Sequence, residues 1–247
     1  MSLTHRTAGE VVKQQFLFKL RSNAAVFTVL FVLQIISMVL MNGAAMTSGM
    51  GTGSFELEWN LISTDGVMGL TFFWAMVFGF LMTTQGQRNA AYLYVVTPRT
   101  ENLANFCLFG FASLIAGITT VLSGGFVKLL AQLQGVQLIT ETAGLFAEPY
   151  QFFTRVLAMA VYTFLIMMLV YTIFIIFQMN RVLILPFILL WFAVSQSTTP
   201  SNWFGDVINF FYKEHSILLF LNKAGMTAVL LATLSLVISK RIEVKAS

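Results

Sequence analysis

Few residues in this chain carry side chains that do chemistry, and their spacing limits what that chemistry is. Two histidines, His5 and His215, and one cysteine, Cys107, are the imidazoles and the thiol of the chain. There is no H-E-x-x-H, no G-x-S-x-G and no Walker A loop. A single cysteine excludes an intrachain disulfide, and its place in an apolar run marks Cys107 as a packed small hydrophobe. Four polar side chains lie within long apolar runs: Gln34, Asn105, Tyr162 and Tyr171. The first reading for each is hydrogen bonding between helices; contact with a passing substrate is the second. The remaining cluster is Gln85 to Glu101, QGQRNAAYLYVVTPRTE, a polar island between two apolar runs. Read as a helix, it places Gln85, Arg88, Asn89 and Tyr92 at i, i+3, i+4 and i+7, on one face. Ala90, Ala91, Leu93 and Tyr94 cover much of the other side, and Pro98 ends the helix. Such a segment is either an ordinary loop or a lever that touches a soluble partner.

The elements that position these residues follow from composition. Of 247 residues, 57% are hydrophobic and 10% charged, against roughly 25% charged in a soluble domain. The apolar runs are long and do not alternate, which points to an all-α polytopic membrane protein rather than a barrel. Measured against the roughly 20 residues needed to cross a bilayer, six spans are expected. They are Ala24–Met41, Val67–Met82, Leu103–Leu122, Phe152–Phe177, Val182–Val194 and Ala224–Ile238. The fifth is short, contains Pro186 and runs into a polar Ser195–Pro200 segment, so its end needs protein or water around it. No Asp or Glu lies deep in any span, which argues against a proton- or sodium-coupled carrier. The whole of 1–247 reads as one membrane domain: residues 1–23 at the interface, 24–238 as the bundle and 239–247 as a tail.

At the N-terminus, Thr7-Ala8-Gly9-Glu10 fits a capping box. Val12, Phe16 and Leu20 then recur every four residues, predicting an interfacial helix over Ala8–Ser22 with its basic side to water. Its charges and lack of a short apolar core are unlike a cleavable signal peptide. With the N-terminus inside, ten of the fourteen basic residues fall in inner segments: Arg6, Lys13, Lys19, Arg21, Arg88, Arg99, Arg181, Lys240, Arg241 and Lys245. The positive-inside rule therefore places both termini and the Gln85–Glu101 stretch in the cytoplasm, and His5 and His215 on opposite sides. The first outer loop, 42–66, is rich in Gly, Ser and Thr, with a short strand or helix expected near Phe55–Trp59. The second, 123–151, is expected to begin helically. Between spans five and six, Trp203, Phe204, Val207, Ile208 and Phe211 form an apolar stripe, followed by the very short run Ile217–Leu221. Two short helices that dip into the outer leaflet and return would use both; the alternative is one long span over Ser216–Ile238 with Lys223 snorkelling to the headgroups.

Six spans, cytoplasmic ends and a basic interfacial N-terminal helix resemble the permease of a type-2 ATP-binding-cassette (ABC) exporter. That family has an amphipathic coupling helix between spans two and three and a re-entrant helical pair between spans five and six. The matching segments here are Gln85–Val96 and Trp203–Leu221. Within the first, Arg88, Leu93 and Pro98 match the family pattern, whereas Asn89 replaces a common glycine and Tyr92 a common acid. The resemblance implies a half-transporter in the plasma membrane of a bacterium. Two permeases, identical or related, would pair around a central path. Separate cytoplasmic ATPase subunits would bind ATP and grip Gln85, Arg88, Asn89, Tyr92 and Leu93. This chain would be no enzyme and hold no cofactor, and its cargo would be a lipid, a hydrophobic peptide or a drug passing Gln34, Asn105, Tyr162 and Tyr171. No nucleic acid is implied. A membrane-embedded enzyme and a non-transporting immunity or assembly factor are the competing classes.

Overall fold

The computed structural model describes residues 7–42, 46–52, 55–61, 65–84, 86–87, 97–133, 148–179 and 216–246. Among the described residues there are six helices of 15 residues or more. They are α1 (Ala8–Ser22), α2 (Ala24–Asn42), α3 (Asp65–Leu81), α4 (Pro98–Leu133), α5 (Pro149–Met179) and α6 (Ile217–Ala246). Helices thus carry the fold as composition predicts. The departure is an antiparallel hairpin between α2 and α3, with β1 (Met46–Thr52) paired to β2 (Phe55–Leu61) from Met46↔Leu61 to Thr52↔Phe55. The strand falls where a short element was expected near Phe55–Trp59.

Three stretches are long and apolar enough to cross a membrane: Arg99–Val127, Pro149–Gln178 and Ile217–Ser239. A fourth is formed if α1 and α2, joined at a 51° bend, count as one. Helix α3 is apolar but shorter. Five of the six expected spans overlap a helix; the fifth, Val182–Val194, lies outside the described residues, as does the Trp203–Phe211 stripe.

Helix ends follow local chemistry. The Thr7 amide donates to Glu10 Oε2 at 3.2 Å, the back-bond expected of the capping box. Asn23 makes the bend after α1: its amide and its Nδ2 donate to the Lys19 carbonyl at 3.0 and 2.8 Å, and its own carbonyl accepts from the Val26 amide. One residue so closes α1 and opens α2. Pro98 opens α4; the helix it is expected to end lies outside the described residues. Thr97 and Thr100 bond reciprocally across that first turn, at 3.2 and 3.5 Å between amide and hydroxyl. A proline at the first helical position lacks an N–H the helix would leave unpaired anyway. The segment Pro98–Glu101 therefore belongs to α4 rather than to the polar island.

Three further expectations are corrected. Ile217–Leu221 is not a separate re-entrant piece but the start of α6, where the Phe220 amide bonds the Ser216 carbonyl at 3.1 Å. Asn222 and Lys223 do not interrupt the run, because the helix satisfies their backbone internally and both are near its beginning. Cys107 is exposed rather than packed; it shares the outward stripe Leu103, Phe111, Leu114, Ile118 and Leu122 of α4. On α1, Lys13 and Arg21 are exposed as expected, but Lys19 is buried together with Val12 and Gln15. At about 100° per residue Lys19 falls between those two around the helix, so it cannot leave the packed face while they stay on it.

The chain divides into two compact units. One comprises residues 18–78 and 108–164. Its core joins Leu30, Val67, Trp74, Phe78, Phe109, Ala112 and Ala116. Trp74 stacks on Phe78 with centroids 5.5 Å apart and donates its indole N–H to the Val26 carbonyl at 2.9 Å, which satisfies the ring's polar edge. Helices come close at Gly117, where an ideal Cβ would lie 2.8 Å from the Val156 carbonyl oxygen. The other unit comprises residues 1–17, 79–107 and 165–247. It is packed around Met82, Ala104, Leu165–Ile175 side chains such as Met167 and Met168, and Phe220. Helices come close at Gly79, whose ideal Cβ would lie 2.7 Å from the Met167 carbonyl oxygen.

Candidate functional site

The second unit contains a run of buried polar groups that converge on α5. Asn102 and Asn105 sit at i and i+3 near the start of α4, so they share a face. Asn105 Nδ2 donates to the Tyr171 hydroxyl at 2.8 Å, the hydroxyl donates to Asn102 Oδ1 at 2.6 Å, and Asn102 Nδ2 donates to Ser239 Oγ at 2.9 Å. This chain of three bonds ties α4 to α5 and α6. Both asparagines and Tyr171 are buried, and Phe106 packs edge-on against the tyrosine ring at 6.2 Å. Each bond is worth about 1 kcal/mol net, and bonds in a chain polarise one another. Thr172 adds a contact to α6, its hydroxyl 3.5 Å from the Leu231 carbonyl.

A second fastening point lies seven residues further along α5. Gln178 Nε2 donates to the carbonyl of Thr83, just past the end of α3. That end is closed by its own hydroxyls: Thr83 Oγ1 and Thr84 Oγ1 donate to the Phe80 and Leu81 carbonyls, each at 2.7 Å. They satisfy acceptors a helix end leaves over. Phe174, between Tyr171 and Gln178, packs on Phe80 with ring centroids 4.5 Å apart. One face of α5 thus holds both the last turn of α3 and the first turns of α4. These are the helices that flank the polar island. The groups named are neutral, and their bonds hold the helices in register.

The other unit holds its own polar cluster. Gln34 Nε2 lies 3.0 Å from Thr119 Oγ1, 3.1 Å from Thr120 Oγ1 and 3.4 Å from Thr71 Oγ1. Thr71 and Thr120 hydroxyls are 3.0 Å apart. An amide nitrogen has two hydrogens for these three oxygens, and the hydroxyls back-bond to carbonyls of their own helices, Thr71 to Val67 and Thr119 to Ile115. The cluster joins α2, α3 and α4.

Of the four polar residues expected within spans, Asn105 and Tyr171 are bonded to one another, Gln34 bonds across helices in the other unit, and Tyr162 is half-buried. The expected coupling residues Gln85, Arg88, Asn89, Tyr92 and Leu93 lie outside the described residues. Sequence reading missed Asn102, Ser239, Thr83 and Gln178. The available signal was spacing: Asn102 with Asn105, and Tyr171 with Gln178, each return to one helix face. It also missed Gln15, which is 1% exposed with neither amide atom hydrogen-bonded. Comparison with family models, curated proteins and solved structures returns no match for this chain.

Proposed function

We propose that the chain is the membrane subunit of an ATP-driven exporter of type-2 ABC layout. The observation that carries the reading is the entry to the bundle: a capped helix with exposed Lys13 and Arg21 that bends by 51° into the first long apolar helix. This suits an interfacial helix leading into span one. The order of the apolar helices that follow supports the same layout, with a polar, basic stretch between α3 and α4. In this reading six spans cross the membrane and both termini face the cytoplasm. Two copies, or this chain and a related one, pair around the path for a lipid, a hydrophobic peptide or a drug. A separate ATPase binds and hydrolyses ATP and docks on Gln85, Arg88, Asn89, Tyr92 and Leu93.

Arginine and tyrosine buried by a partner are frequent anchors, each costing about 2 kcal/mol or more when truncated, whereas on a bare loop such changes cost about 0.5 kcal/mol or less. Arg88→Ala with Tyr92→Ala is therefore expected to leave the permease folded and inserted, and to weaken recovery of a co-purifying ATPase in a pull-down and its ATP turnover. Gln132→Ala is the control and changes neither. Retention of ATPase and turnover by the double variant refutes docking at these residues. If the wild-type chain recovers no ATPase, the non-transporting reading takes its place.

A further inference from the structure

The two ends of the polar island are fastened to the same helix. At the near end the Thr83 carbonyl accepts from Gln178; at the far end Asn102 and Asn105 are bound to the Tyr171 hydroxyl. Tyr171 and Gln178 are seven residues apart, two helical turns, and so lie on one face of α5. Phe174 packs on Phe80 in the interval. Thr83, Asn102, Asn105 and Tyr171 are buried, whereas Gln178 is exposed. Asn102 is bonded in addition to Ser239 of α6.

We propose that Tyr171 and Gln178 are positioning residues for the exporter's energy coupling: displacement of the α3 and α4 ends by a docked ATPase is delivered to α5, and through Asn102 and Ser239 to α6. This rests on the exporter reading. Bonds from one face of α5 to both the α3 end and the α4 start couple a displacement of either to α5. Tyr171→Phe removes one hydroxyl and Gln178→Leu one amide, with little change of volume. Neither residue is among those expected to touch the ATPase.

The test uses the permease with its co-purified ATPase in nanodiscs of phosphatidylethanolamine and phosphatidylglycerol. In both variants the recovered ATPase and the KM for ATP stay at wild-type values, while the stimulation of ATP turnover by the permease falls about 5-fold or more, the lower range of allosteric coupling. Gln132→Ala, the control used above, leaves stimulation unchanged. In parallel, hydrogen exchange on the permease alone becomes faster at Thr83, Thr84, Gly86 and Gln87 in Gln178→Leu, and at Glu101 to Asn105 in Tyr171→Phe. Where Tyr171→Phe yields no folded protein, Gln178→Leu carries the test, because that side chain is at the exposed end of α5. Unchanged stimulation in folded Gln178→Leu overturns the inference and leaves the exporter reading standing. A wild-type chain that retains no ATPase overturns both, and unaltered exchange overturns the fastening itself.

Discussion

Gly79→Ala tests the packing of α3 on α5 by adding a single methyl group. An ideal Cβ there lies 2.7 Å from the Met167 carbonyl oxygen and 3.3 Å from both Met167 Cα and Val170 Cβ. Carbon–oxygen contacts between helices relax at about 3.3–3.6 Å, so the first distance must lengthen by about 0.6 Å or more. The obstructing atom is backbone within a helix and cannot rotate away; the two helices must separate. Overpacking of this kind costs about 1–3 kcal/mol, set against up to about 1 kcal/mol gained from replacing glycine within a helix. Gly110→Ala isolates the second term, since nothing lies within 4 Å of an ideal Cβ at Gly110. Thermal unfolding of both variants in the same detergent, followed by circular dichroism, is the assay. A shift of about 2–4 °C per kcal/mol for a chain of this size separates the two by about 2–12 °C, with Gly79→Ala the lower. Equal melting temperatures refute the close approach of α3 and α5. Gly117→Ala, with a carbonyl at 2.8 Å and Ala160 Cβ at 3.0 Å, behaves like Gly79→Ala by the same reasoning.

Gln34→Leu is expected to cost about 0.6–1.7 kcal/mol, the range of hydrogen bonds between helices in membranes, because Thr71 and Thr119 fall back on their own carbonyls; unfolding of the purified variant measures it. Gln15→Leu goes the other way: an amide buried without partners costs about 1–3 kcal/mol, so this variant is more stable, and a loss of stability shows instead that Gln15 has work to do in the assembled protein. With Cys107 replaced, cysteines at Ser54 and Thr142 react with an impermeant maleimide on intact cells, and those at Thr97 and Ser247 do not; labelling at Thr97 from outside reverses the topology.

The parts of this fold legible in the sequence are those fixed by local chemistry. The bounds of α1 follow from the Thr7–Glu10 capping pair and the four-residue apolar recurrence, and five of the long apolar runs coincide with helices, three of them long enough to cross a membrane. Pro98 was ambiguous in a physical sense: the same restriction that ends one helix suits the first position of the next, and only the Thr97–Thr100 bonds decide. Cys107 and Lys19 show that polarity alone does not set a residue's direction, which is inherited from neighbours one turn away. The polar networks were half legible. Gln34, Asn105 and Tyr171 stand out against apolar runs, but threonine and serine do not, since each can satisfy itself on its own helix. Which of them reach across, as Thr120 and Ser239 do, is decided by the packing of helices far apart in sequence.

Biosynthesis meets the bonds of the Gln34 cluster in a fixed order. Trp74 finds the Val26 carbonyl 48 residues behind it, so α3 can close on α2 as soon as it is made. Gln34 has only the long 3.4 Å contact to Thr71 at that stage; its nearer partners are Thr119 and Thr120, 85 and 86 residues downstream of it. At about 5–20 residues per second, the interval between making the amide and making those hydroxyls is about 4–17 s. Throughout it the glutamine sits in an apolar helix incompletely paired, so α2 and α3 wait as a provisional hairpin until the far half of α4 leaves the ribosome and locks them.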